Sequence, residues 1–121
     1  MIVAGSQEKH MTVIVEKYGG TSVGSVERIN HVADKLVKKH QAGERLVVVV
    51  SAMSGETNRL ISLANEITDS PSAREMDVLV STGEQVTIAL LSMALHKRGV
   101  DARSYTGGQV SIRTDNVRID T

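Results

Sequence analysis

The 121-residue chain fits one small domain. Its 14 acidic and 14 basic side chains cancel, which gives no case for nucleic acid or an acidic membrane surface, where a basic patch is expected. It has no cysteine, so a disulfide framework or thiolate metal site is excluded, and with two Tyr and no Phe or Trp the core must come from Val, Leu, Ile, Met and Ala.

Residues 1–10 (MIVAGSQEKH) lack the long apolar stretch of a secretory signal. His10-Met11 ahead of a clean strand suggests Met11 as a natural start. The preceding residues are then a native extension or a cloning remnant, with no function assigned. Residues 12–17 (TVIVEK) form a β-branched run ending at Gly19-Gly20, a strand entering a tight loop. Residues 25–41 carry Val26, Ile29, Val32, Ala33, Leu36 and Val37 at helical spacing, with Gly43 as the stop. Residues 46–50 (LVVVV) are continuously apolar, which suits a strand covered on both faces in a parallel sheet.

Residues 57–67 repeat the helical pattern, and residues 69–72 form a turn. Residues 73–97 are again helical, with Gly83 in the middle as an expected kink or division. The longest apolar stretch, residues 86–95, is broken by Thr87 and Ser92, so no membrane span is expected. Gly99 caps the helix, residues 100–105 can be a strand, and residues 109–112 can pair as another. Strand, helix, strand, helix pair, strand argues for an α/β layered fold with a mainly parallel sheet and helices on both faces. The binding crevice of such a sheet lies beyond the carboxyl ends of its strands. That rule selects residues 17–24, 51–58 and 106–109.

Three motifs fall in or near that crevice. Lys17-Tyr18-Gly19-Gly20-Thr21-Ser22 leads into a helix. Glycines let backbone N–H groups approach phosphate oxygens, the helix N-terminus adds partial positive charge, and Lys17 would neutralise a phosphoryl group in flight. It is neither a Walker loop nor a Rossmann fingerprint, and it also reads as a glycine turn with a solvated lysine. Residues 51–58 (SAMSGETN) place small hydroxyls at the end of a buried strand, where they can bind carboxylate or phosphate oxygens. For any one hydroxyl taken alone, helix capping by Ser54 or Thr57 is the better reading. In residues 81–85 (STGEQ), Glu84 is costly in an apolar helix unless paired or at a cleft, and with Asp77 it can instead mark a solvated face. The four histidines have no metal-ligand spacing and read as surface residues, while Met53, Met76 and Met93 read as core packing.

Taken together, KYGGTS, SAMSGETN and STGEQ, with SVERI, AREMD and YTGGQ around them, resemble the aspartate kinases of the amino acid kinase superfamily in order and spacing. The resemblance covers residues 11 to about 115. It implies an incomplete three-layer α/β/α fold in which residues 11–121 form the N-terminal, aspartate-binding lobe. ATP with Mg²⁺ would bind a C-terminal lobe that has no counterpart in these residues. It also implies a cytoplasmic, homo-oligomeric parent enzyme that makes aspartyl phosphate on the way to lysine, threonine and methionine. By the same resemblance Lys17 steadies the transferring phosphoryl group, and Gly19, Gly20, Thr21 and Ser22 line its path. Ser51 and Thr57 contact L-aspartate or place donor phosphates, and Glu84 recognises the aspartate amino group. The glycine-rich Ser-Asp segment and regulatory domains of the family are missing, and residues 114–121 (TDNVRIDT) look compressed. The chain alone is therefore expected to be inactive. A non-catalytic small-molecule binder or assembly module, and one half of a split kinase, are the alternatives.

Overall fold

The computed structural model describes residues 1–4, 13–106 and 117–120. In chain order these form β1 (Ile2–Ala4), β2 (Val13–Tyr18), α1 (Val26–Gln41), β3 (Arg45–Val50), α2 (Glu56–Ile67), α3 (Ala73–Lys97), β4 (Ala102–Ser104) and β5 (Val117–Asp120). The expected strand over residues 109–112 and the loop at Gly107-Gly108 lie outside the described residues.

The sheet order is β4-β1-β3-β2-β5. β2 is parallel to β3 and to β5, while β1 is antiparallel to both β3 and β4. It follows that β2, β3, β4 and β5 all run the same way and β1 alone runs against them. The sheet is thus parallel in direction, as its apolar β3 implies, but its ladder is mixed. The exception comes from the segment to which the sequence assigned no role: Ile2 is fully buried within the sheet.

Local chemistry sets the helix limits. The Ser25 hydroxyl accepts from the Arg28 amide at 3.2 Å and opens α1. Glu27 sits in the first turn and Lys38, Lys39 and His40 in the last, each complementing the helix dipole. Gly43 then takes φ +91°, a conformation that favours glycine, and ends the helix. Ser72 caps α3 in the same way, and Gly99, at φ +82°, follows its end. α3 is continuous through Gly83, so the expected division into two helices does not occur.

α1 and α3 pack on each other, and α2 packs on α3. Ile29, Val32, Ala33 and Leu36 of α1 and Ile88, Leu91 and Leu95 of α3 share a core with Ile14, Leu46, Val48 and Val50 of the sheet. Alternation along the strands puts Ile14, Glu16 and Tyr18 of β2 on this face and Val13, Val15 and Lys17 on the other. Truncating a fully buried core leucine such as Leu36 or Leu91 to Ala typically costs about 2–5 kcal/mol. α3 is long and apolar enough to cross a membrane by length and composition, yet six of its residues are buried within this fold. Met93 is not core: it is 63% exposed, whereas Met53 packs on the core as expected.

Candidate active site

The carboxyl ends of β2 and β3 are neighbours, because Lys17 pairs with Val49 and Tyr18 with Val50. Beyond Tyr18 the chain turns at once. The Gly19 carbonyl accepts from the Ser22 amide at 3.0 Å and the Val23 amide at 3.3 Å, and the buried Val23 side chain anchors the turn. Beyond β3 the Ser51 amide donates to the Tyr18 carbonyl at 3.1 Å, which carries the pairing one residue past the strands.

The two loops then lock together. The Ser54 hydroxyl donates to the Gly20 carbonyl at 3.0 Å. A Cβ on Gly20 would come to 3.4 Å from the Ala52 carbonyl, and one on Gly24 would come to 2.5 Å from Ser54 Oγ. Capping of α2 by Ser54 or Thr57 does not occur: Gly55 is the N-cap, at φ +77°, with no side-chain cap bond. The Ser54 hydroxyl is committed to the glycine loop, and Thr57 lies in the first turn of α2.

α3 closes on the same loop. A Cβ on Gly83 would sit 2.9 Å from Ala52 Cβ and 3.5 Å from Leu60 Cδ1. Gly83 is thus a close-packing residue, and Glu84 follows it on the helix. The three motifs, separate in sequence, meet in the order Gly20, Ser54, Ala52, Gly83. Lys17, Thr21 and Glu84 are exposed, and Ser22, Ser51 and Thr57 are half-buried. An open cavity of about 520 Å³ runs along α1 beside Tyr18, Ser22, Arg28, His31 and Lys35. Of the sequence-predicted residues only Ser22 lines it.

Electrostatics at this end of the sheet involve the chain terminus. The Met1 ammonium donates to the Tyr105 carbonyl at 3.1 Å, and the Tyr105 amide donates back to the Met1 carbonyl at 2.8 Å. Burial pushes the ammonium below its usual range, and the nearby Glu84 carboxylate partly opposes that. At the other flank of Lys17, buried Glu16 accepts from the Tyr18 hydroxyl at 2.5 Å and pairs with Lys39 of α1. The sequence reading missed this cluster. Its signal was present: in VIVEKY a carboxylate shares the phase of Ile14 and Tyr18, the face that turns to the core.

The profile of the amino acid kinase family matches residues 12–121. The chain is similar to an aspartate kinase of Pseudomonas putida, with 70% identity over 106 residues, covering 88% of this chain and 26% of that protein. Among solved structures it is similar to an aspartate kinase from Synechocystis, at TM-score 0.70 and 57% identity, over 71% of this chain and 15% of the other. It is also similar to E. coli aspartokinase III in complex with aspartate and ADP, at TM-score 0.57 and 27% identity, over 72% of this chain and 29% of the other. The chain spans about a quarter of the length of the curated relatives it matches.

Proposed function

Because the chain belongs to the amino acid kinase family, we propose that it is the N-terminal, aspartate-binding part of an aspartate kinase. The reaction transfers the γ-phosphoryl group of ATP to the side-chain carboxylate of L-aspartate. A carboxylate oxygen forms a bond to the γ-phosphorus, the bond to the β–γ bridging oxygen breaks, and ADP leaves with that electron pair. The observation that carries this reading is the packing of the Gly20 turn on Ser54 and of Ala52 on Gly83, which gathers all three motifs at one end of the sheet. Similarity to a structure that holds aspartate and ADP supports the same ligands here.

In this reading Lys17 offsets charge that develops on the phosphoryl group, and Gly19, Gly20, Thr21 and Ser22 line its path. Ser51 and Thr57 hold aspartate oxygens or donor phosphates. Glu84 accepts from the substrate ammonium. Phosphoryl transfer depends mostly on positioning and charge stabilisation, which suits side chains held on two strand ends and one helix. Among the described residues no three His, Cys, Asp or Glu side chains gather closely enough to hold a metal ion. Mg²⁺ would supply charge neutralisation to the donor phosphates, and in this reading it belongs with the nucleotide side, along with most of the ATP site. The parent enzyme is read as cytoplasmic and homo-oligomeric, serving lysine, threonine and methionine synthesis.

Steady-state kinetics of a polypeptide carrying this segment with its nucleotide lobe test the assignment. Lys17→Ala should lower kcat by about 10²–10³ with little change in aspartate KM, as loss of a transition-state electrostatic contact does. Glu84→Gln should raise aspartate KM first, since it keeps shape and removes the charge that the ammonium needs. A Lys17→Ala enzyme altered only in KM, or a Glu84→Gln enzyme with unchanged KM, overturns the roles. The 121-residue chain alone should show no aspartate-dependent ATP turnover. Turnover at ordinary kinase rates, about 1–100 s⁻¹, would remove the need for a second lobe.

A further inference from the structure

β1 lies outside the residues that the family profile matches, 12–121, yet it occupies an interior position of the sheet. It separates β3 from β4, and among the described residues it is the only strand with which β4 pairs. β3 and β4 run the same way and are joined through α2 and α3, the kind of crossover that ordinarily links parallel neighbours. Through β1 their registers are already aligned. Leu46 and Ala102 both lie opposite Ala4, Val47 and Arg103 both oppose Val3, and Val48 and Ser104 both oppose Ile2.

We propose that β1 is a removable wedge: with it in place β3 and β4 stand two strand spacings apart, and when it leaves they pair directly and narrow the crevice. Two spacings are roughly 9–10 Å and one is roughly 4.8 Å. Closure keeps every side chain on its present face, because residues on β3 and β4 that share a β1 partner share a face. Leu46 and Ala102 would meet on the core side, and Val47 and Arg103 on the other. A three-residue strand is at the short end of the range and few ladder bonds hold it, so it can open without global unfolding. The eight residues 5–12 can span up to roughly 27 Å when extended, which is ample for β1 to leave while β2 stays. Antiparallel β1 also brings Met1 to the carboxyl ends of β3 and β4, where its backbone bonds hold Tyr105. Release of β1 therefore frees Tyr105 from Met1 and lets the carboxyl end of β4 approach that of β3. The inference depends on the sheet and not on the identity of the substrate.

The absence of cysteine makes a disulfide trap clean. In a Val47→Cys, Arg103→Cys chain under mild oxidant at high dilution, the thiols are too far apart to join while β1 separates them, since a disulfide needs Cα atoms within roughly 4.4–6.8 Å. Val3→Pro removes a ladder bond from a strand paired on both sides. With it added, the intramolecular disulfide should form rapidly while helical circular dichroism is retained. Without it, the disulfide should form slowly, at a rate nearly independent of low urea, as local strand release requires. Retained helix with no disulfide in the Val3→Pro chain overturns the proposal, as does immediate bonding without that substitution. If Val3→Pro unfolds the chain, the urea series decides: a rate that tracks global unfolding throughout shows β1 to be a fixed strand.

Discussion

The Ser54 hydroxyl and the Gly20 carbonyl, 34 positions apart in sequence, are joined at 3.0 Å, and Gly24 fits against the same hydroxyl with no room for a Cβ. Two loops that leave different strands thus form one surface. The bond does not act alone, because the Ser51 amide and the Tyr18 carbonyl hold the loop bases together.

Gly24→Ala should therefore destabilise the chain by about 1–3 kcal/mol through overpacking. In a Ser54→Gly background, where the clashing oxygen is gone, the same substitution should cost much less. A double-mutant cycle by urea denaturation measures the coupling. Additive effects would mean that the two loops do not touch in solution.

Gly83→Ala sets two effects against each other. Alanine improves intrinsic helix propensity by about 1 kcal/mol, but its methyl group would lie 2.9 Å from Ala52 Cβ, an overlap that costs about 1–3 kcal/mol. The expected net result is a loss of stability. With Ala52→Gly added, Gly83→Ala should become neutral or stabilising relative to Ala52→Gly alone. Thermal or urea melts of the four chains check the reversal.

Glu16 is 3% exposed, and its charge is met by Lys39 and the Tyr18 hydroxyl. Removing one partner of a fully buried pair costs about 3–5 kcal/mol. Because the Lys39 side chain is 35% exposed, Lys39→Met is expected to cost less, about 1–3 kcal/mol. Glu16→Leu with Lys39→Met should recover much of that loss, since no carboxylate is then left buried. Urea midpoints of the parent chain and the two variants provide the measurement.

Asp34 accepts from Arg98 at 2.7 Å, a contact that ties α1 to the end of α3. The guanidinium holds the carboxyl below its usual value of 3.8. A group whose folded pKa is depressed contributes stability above its unfolded pKa and loses it as pH falls through the folded one. The parent chain should thus lose stability more steeply than Asp34→Asn as pH falls from 5 toward and below 3.8. At neutral pH the difference should be small and should shrink further with added salt, because the pair is at the surface. Urea midpoints across that pH range test the slope.

Helix and strand positions were legible because period and punctuation are local properties. The spacing of Ile29, Val32, Ala33 and Leu36, the Ser25 cap and the Gly43 stop each act over a turn or two of chain, and α1 follows them. The unbroken LVVVV of β3 announced burial for the same reason, although Val49 remains 37% exposed. Two of the motif segments, KYGGTS and SAMSGETN, were found at strand ends because a parallel strand followed by a glycine loop has few other places to put it, whereas STGEQ lies within α3.

What the sequence by itself determined is the layered α/β architecture, the limits of its main elements and the loops that leave β2 and β3, all set by short-range pattern. Only the tertiary structure decided how those segments meet. It turned Ser54 from a helix cap into a bond to Gly20 and set Gly83 of the continuous α3 against Ala52. It also buried Glu16 between Tyr18 and Lys39, and drew Ile2–Ala4 into the sheet between β3 and β4. Each of these joins residues far apart in the chain or depends on which of several available hydrogen bonds or strand slots is filled. That choice is settled by packing across the fold and leaves no periodic trace along the chain.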